Sequence, residues 1–203
     1  MTNDNFAEAQ KNKKRKRLLV VSVASETFAA LCLPWLAQVF TIKNAQMALN
    51  AGDKAPDFKL YNTEKAEVSL SDYAGRNLVI LFFPQSFTGV CTKELCSTRD
   101  DIAFYQNVGA DVVAVSVDSI FTLGKFKEEQ KLNFPLLSDF NKEMSTAYDS
   151  IYHDWILGMK GVSKRSAFVV DKNGIIRYAE VLESAGDLPN FDAVKATLQE
   201  IGN

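Results

Sequence analysis

The chain holds one histidine, His153, three cysteines and five prolines among its 203 residues. A single histidine leaves no cluster for a zinc site and no obvious cysteine–histidine dyad, so activation of any thiol must come from elsewhere. Cys32, Cys91 and Cys96 lack the regular paired spacings of a disulfide-stapled secreted scaffold. The body of the chain has no internal repeats and no low-complexity stretches. Positive charge is also scarce where a nucleic acid would need it. Residues 1–46 carry seven Lys/Arg against three Asp/Glu, a net of +4, which leaves sixteen against twenty-two, a net of −6, for residues 47–203. An acidic body argues against a nucleic-acid partner. With 47% hydrophobic residues the chain can bury one good core and is too short for two full domains.

The N-terminal segment, residues 1–46, reads separately from the body. Lys11-Asn12-Lys13-Lys14-Arg15-Lys16-Arg17 precedes an apolar run from Leu18 to Phe40, as in a signal anchor with its positive side toward the cytoplasm. Against an anchor stand Glu26, which costs roughly 2.5–3.5 kcal/mol near the middle of a span if it behaves like other charged residues there, and Pro34, which interrupts a helix. No small-x-small cleavage site follows, and Leu31 stands before Cys32 where a lipoprotein signal wants a small residue. Three readings stay open: an upstream or non-native extension with Met47 as the alternative start, a membrane anchor through residues 18–40, or a cleaved signal. The first makes the protein cytoplasmic.

From Met47 onward strand-like and helix-like stretches alternate. Leu78 to Phe83 is a continuous apolar run, as in a strand covered on both faces. Cys91 to Tyr105 reads as the following helix, with Leu95, Ile102, Phe104 and Tyr105 available for its buried stripe. Asp111 to Val117 is a second strand, after which Asp118 or Ser119 caps a helix through about Gln130. Phe134 to Leu137 is a short extended piece, and Lys142 to Tyr148 a brief helix. Asn173-Gly174 lies between Ala167–Val170 and Ile175–Val181 and predicts a tight hairpin in which both central residues take positive φ. Phe191 to Ile201 closes the chain as an amphipathic helix. This rhythm predicts an α/β fold with a largely parallel sheet, ending in an antiparallel hairpin and a helix.

Chemistry concentrates in Pro84-Gln85-Ser86-Phe87-Thr88-Gly89-Val90-Cys91, with Cys96 five residues further on. Cys91 falls at a strand-to-helix corner. Thiolate is the reactive form of cysteine, and the unpaired N–H groups of a helix start favour a negative charge. An isolated free cysteine is as readily a small buried hydrophobe, so its neighbours must decide.

The order Pro84, Thr88, Cys91 resembles the proline-x-x-x-threonine-x-x-cysteine signature of the peroxiredoxins. Gly52-Asp53-Lys54-Ala55-Pro56-Asp57-Phe58 looks like that family's usual opening. Cys91-Thr92-Lys93-Glu94-Leu95-Cys96 with Arg99-Asp100 is similar to the Q group, the bacterioferritin comigratory protein type, and Phe87-Thr88-Gly89-Val90 has E-group features. The likeness spans residues 47–203. It implies a thioredoxin-like α/β sandwich, a mixed central sheet flanked by helices, and a thiol peroxidase acting on hydrogen peroxide or small organic hydroperoxides without cofactor or metal.

The resemblance also implies roles. Cys91 attacks the peroxide, Thr88 bonds to the thiolate and the peroxide, Pro84 shields the thiolate from water, and Arg165, arriving from a distant strand, holds thiolate and peroxide with its permanent charge. Glu94 either holds an arginine or is a solvated helix carboxylate. His153 takes no role. Cys96 is the expected resolving thiol, which condenses with a Cys91 sulfenic acid to a disulfide; thioredoxin or a similar dithiol then reduces it, and the protein is a monomer or homodimer. Five residues along a helix is about 7.5 Å of rise and about 140° of rotation, whereas a disulfide needs Cα atoms within about 7 Å. The helix must therefore partly unwind before the two sulfurs join. Rival readings are a membrane-anchored thiol–disulfide oxidoreductase, which normally spaces its cysteines by two rather than four residues, and a redox-sensing or holdase module.

Overall fold

The computed structural model describes residues 48–202; the N-terminal segment, with its candidate span at 18–40, lies outside them. Among the described residues no helix is long and apolar enough to cross a membrane. The elements in chain order are β1 (Lys59–Asn62), β2 (Glu67–Ser69), β3 (Asn77–Phe82), α1 (Gly89–Asp100), α2 (Ile102–Asn107), β4 (Ala110–Ser116), α3 (Ile120–Gln130), β5 (Leu136–Ser138), α4 (Glu143–Ala147), β6 (Ile151–Tyr152), β7 (Val162–Ser163), β8 (Ser166–Val170), β9 (Ile176–Val181) and α5 (Phe191–Ile201).

Seven strands form one sheet in the order β2-β1-β5-β4-β3-β8-β9, and β6 and β7 pair separately. β3, β4 and β5 run parallel, while β8 is antiparallel to β3 and to β9, so the sheet is mixed. β3 is buried along its whole length because both faces are covered. Strand geometry sends alternate side chains to opposite faces. Val79, Leu81 and Phe83 join Leu95, Tyr105, Leu123, Phe126, Val194 and Leu198 on one side; Leu78, Ile80 and Phe82 join Phe58, Val113, Met144, Tyr148 and Phe168 on the other. Each such large apolar side chain taken from water contributes about 1.5–3 kcal/mol. The two cores make a three-layer sandwich, helix over sheet over helix.

Two local expectations are corrected and one open choice is settled. The helix expected over 91–105 begins two residues earlier, at Gly89, and breaks at Asp101 (φ −92°, ψ 6°), whose N–H bonds to the Ser97 carbonyl at 3.0 Å. α2 resumes from there, so Leu95 and Tyr105 share the core from two axes instead of one stripe. The Asn-Gly hairpin is not the two-residue turn with two positive φ values. Gly174 alone is left-handed, at φ 78°. Asp171 takes over: its carboxylate accepts from the N–H of Asn173 at 2.8 Å and of Ile175 at 3.0 Å, and its carbonyl from Gly174 N–H at 2.9 Å. A three-residue loop with glycine last is the next commonest hairpin solution. Of the two candidate caps for α3, Ser119 serves, accepting from Thr122 N–H at 3.2 Å; Asp118 is used elsewhere.

Candidate active site

The β3–α1 connection carries the site. β3 delivers the chain to Pro84 at the parallel-strand carboxyl end, and α1 leaves with Thr88 as its N-cap residue and Cys91 in its first turn. The connection is held from below. Asp118 Oδ2 accepts from Ser86 N–H at 2.7 Å and from Ser116 Oγ at 3.0 Å. Phe87 adopts φ 62°, an uncommon left-handed conformation for a bulky residue. Its ring meets buried Phe126 edge-on at 5.0 Å, which helps to hold that geometry.

Cys91 is buried, 1% exposed. Antiparallel pairing of Phe82 with Ser166 sets the residue before β8, Arg165, beside the start of α1. Arg165 is itself 1% exposed. Its Nη2 donates to Cys91 Sγ at 3.3 Å, its Nη1 is paired with Glu94 Oε2, and Nη2 and Nε donate to the Ala185 carbonyl at 2.9 and 3.3 Å. Four donors of a planar guanidinium fork are thus aimed at three acceptors, a geometry lysine cannot reproduce.

Glu94 resolves as the arginine holder and not a solvated carboxylate: it is fully buried. Burial pushes its carboxyl up to about 7 from the ordinary 4.5, against the charge and hydrogen bond of Arg165, which pull it down. Burial works to weaken the proton affinity of Arg165, but Glu94 and Cys91 outweigh it and the net shift is upward. Glu94 Oε1 has no hydrogen-bond partner among the described residues.

Pro84 is buried, its carbonyl 3.5 Å from Ser116 Oγ, whose hydrogen goes to Asp118. Thr88 donates its hydroxyl hydrogen to the Gln85 carbonyl at 3.0 Å, not to Cys91, and it does not cap α1 through its side chain. A hydroxyl has one hydrogen to give, so donating to a Cys91 thiolate or to a peroxide oxygen requires the hydroxyl to rotate. The first-turn N–H groups of α1 have no carbonyl four residues back within the helix and point outward from its start. Cys96 lies elsewhere. It is half-buried on another face of α1, its Sγ 3.6 Å from Gln130 Oε1 and 3.6 Å from Arg99 Nη1. Both cysteines are free thiols. His153 is exposed in a bend, and among the described residues no group of His, Cys, Asp or Glu is placed to hold a metal ion.

Sequence reading missed two parts of this site. The Ala185 carbonyl carries no side-chain signal at all. Asp118 was visible only as a polar residue after a strand, the same signal that a helix cap gives.

A buried free thiol at a helix start, held by a buried arginine within a layered α/β sandwich, defines a thiol-based redox enzyme. The comparisons with known proteins agree. Residues 51–179 match the model of the AhpC/TSA family. Alkyl hydroperoxide reductase E of Mycobacterium bovis is 38% identical over 136 residues, 66% of this chain and 86% of that protein. Among solved structures, the peroxidoxin BcpB of Mycobacterium tuberculosis superposes with TM-score 0.67 at 29% identity, covering 75% of this chain and 98% of that one. The bacterioferritin comigratory protein of Xanthomonas campestris gives 0.66 at 28%, covering 76% and 100%. The chain belongs to the AhpC/TSA family, has the thioredoxin-like fold of the peroxiredoxins, and is a thiol-dependent peroxidase.

Proposed function

We propose that Cys91 is the peroxidatic nucleophile and Cys96 its resolving partner, in an enzyme that reduces hydrogen peroxide and small organic hydroperoxides at the expense of thioredoxin or a similar dithiol. The observation that carries this reading is the 3.3 Å approach of Arg165 Nη2 to the buried Cys91 Sγ. The thiolate attacks one peroxide oxygen, the O–O bond breaks, and the other oxygen leaves with the electron pair as hydroxide or alkoxide, then takes a proton. Cys91 becomes a sulfenic acid.

Charge moves from sulfur to the departing oxygen, so a fixed donor set facing that path lowers the barrier. Arg165 supports thiolate and oxygen alike, the first-turn N–H groups of α1 offer further donors, and Thr88, once rotated, adds a hydroxyl. Pro84 keeps water from the sulfur. Cys96 then displaces hydroxide from the sulfenic acid, and an external dithiol reopens the disulfide. Two free thiols in a turnover cycle suit a reducing compartment such as the cytoplasm.

Peroxide consumption by the parent and by Cys91→Ser tests the nucleophile. Loss of turnover in the variant is expected, and a variant as fast as the parent overturns the assignment. Mass spectrometry after one equivalent of peroxide tests the partner. A Cys91–Cys96 disulfide is expected; a persistent Cys91 sulfenic acid beside free Cys96 removes Cys96 from the cycle and leaves an outside thiol to resolve it.

A further inference from the structure

Cys96 has an arginine of its own. Arg99 stands three residues along α1, one turn on, with Nη1 3.6 Å from Cys96 Sγ. That guanidinium is fixed by other bonds. Nη1 donates to the Gln130 carbonyl at 2.6 Å at the end of α3, and Nε donates to Asp100 Oδ1 at 2.8 Å. The Arg99 carbonyl in turn accepts from Asn133 Nδ2 at 3.2 Å. The Cys96 thiol meanwhile donates to Gln130 Oε1 at 3.6 Å. The bonds of Arg165 go to Cys91, Glu94 and Ala185, and none goes to Cys96.

We propose that Arg99 is the positioning residue of the resolving half-reaction, an inference that rests on Cys96 being the resolving thiol. In that step the Cys96 sulfur, having lost its proton, attacks the Cys91 sulfenic sulfur. An S–S bond forms and the S–O bond breaks. Hydroxide leaves and takes up the proton that Cys96 released, giving water. Cys96 is oxidised and Cys91 reduced, and the oxidising equivalents came from the peroxide. The guanidinium sits where it meets the negative charge on Cys96, and Gln130 Oε1, which can only accept, aims the thiol before its proton leaves. Resolution needs the first turns of α1 to open, while the Gln130 and Asn133 bonds keep Arg99 on the last turn. The cation therefore stays with Cys96 as the two sulfurs approach.

Stopped-flow oxidation of the full chain separates the two steps, with formation of the 91–96 disulfide as the second phase. Arg99→Gln is expected to leave the first phase within about twofold and to slow the second about tenfold, the effect of one charge-assisted bond. Arg99→Lys should restore most of the rate. Because the Arg99 side chain is 27% exposed, added salt should slow the second phase of the parent and not that of Arg99→Gln. Asn133→Ala removes one of the two bonds that keep Arg99 on the last turn but leaves the charge and the Gln130 bond, so its second phase should slow by less than that of Arg99→Gln. An Asn133→Ala variant as slow as Arg99→Gln, or a parent insensitive to salt, makes Arg99 a mere tether and overturns the inference. A disulfide formed at the parent rate in Arg99→Gln overturns it while leaving Cys96 as resolving thiol; no 91–96 disulfide in the parent overturns both.

Discussion

Arg165 joins Glu94 to Cys91 through a single guanidinium, with Nη1 on the Glu94 carboxylate and Nη2 3.3 Å from the Cys91 sulfur. Glu94 and Cys91 are three residues apart on α1, so the helix sets the separation of the two acceptors and the arginine fork spans it. Aim, and not only charge, is what the carboxylate contributes.

Replacing Glu94 by Gln keeps the shape and a neutral acceptor but loses the charge-assisted bond. A fall of about tenfold in kcat/KM for peroxide is expected, in line with about 1.5 kcal/mol for such a bond. Glu94→Ala leaves a buried cation unpaired and should also cost about 3–5 kcal/mol of stability. Steady-state kinetics and urea unfolding read the two effects; an Ala variant as stable as the parent contradicts the buried pair.

The raised Glu94 carboxyl fixes the sign of a pH effect. Its folded value, about 7, lies above the ordinary 4.5, so between those limits the folded state binds more protons than the unfolded state. Stability from this group is therefore complete below about pH 4.5 and declines as pH rises toward 7, by at most about 3 kcal/mol. Unfolding free energy measured across that range should fall less steeply in Glu94→Gln. Equal slopes in parent and variant would show that Glu94 ionises normally.

Asp118 ties down the loop that presents Cys91. Asp118→Ala frees Ser86 N–H and Ser116 Oγ together, a loss of about 1.5–3 kcal/mol for bonds to a charged acceptor. We expect kcat/KM to drop several-fold and Tm by a few degrees, with Asp118→Asn milder in both. Activity untouched by Asp118→Ala would mean that Phe87 on Phe126 holds the loop alone.

Leu95 lies fully buried between the two cysteines in sequence, and opening α1 must bring it toward water. Exposure of a leucine costs about 1.5–3 kcal/mol, so Leu95→Ala should lower the barrier to helix opening while destabilising the fold by about 2–5 kcal/mol. Faster disulfide formation together with a lower Tm is the expected pair of results. Slower disulfide formation would argue that α1 stays wound during resolution.

Much of the fold is legible because burial repeats at fixed intervals. Leu78–Phe83 has no polar residue, so it belongs in a sheet covered on both faces, and β3 is that strand. Phe191–Ile201 shows a helical stripe and is α5, with Val194 and Leu198 in the core. The break at Asp101 is not legible. A helix through 105 satisfies the same apolar spacing, and only the placing of Tyr105 in the same core as Leu95 and Val194 goes with a second axis. The Asn-Gly turn misleads for a related reason. Asp171 sits at the edge of the expected loop, and its carboxylate offers the backbone a three-residue alternative.

The site divides in the same way. Pro84, Thr88, Cys91 and Glu94 lie within one short stretch of chain, where torsion, capping and helix spacing act over a few residues, so sequence by itself determined the thiol, its helix start and the Glu94 face. Arg165 is 74 residues from Cys91, and only the pairing of β3 with β8 sets its guanidinium on that sulfur. Ala185, Asp118 and the Arg99–Gln130 contact likewise join remote parts of the chain. Tertiary structure alone decided them, because the sign of a contact between distant residues depends on which side chains the packed sheet brings within 4 Å and removes from water.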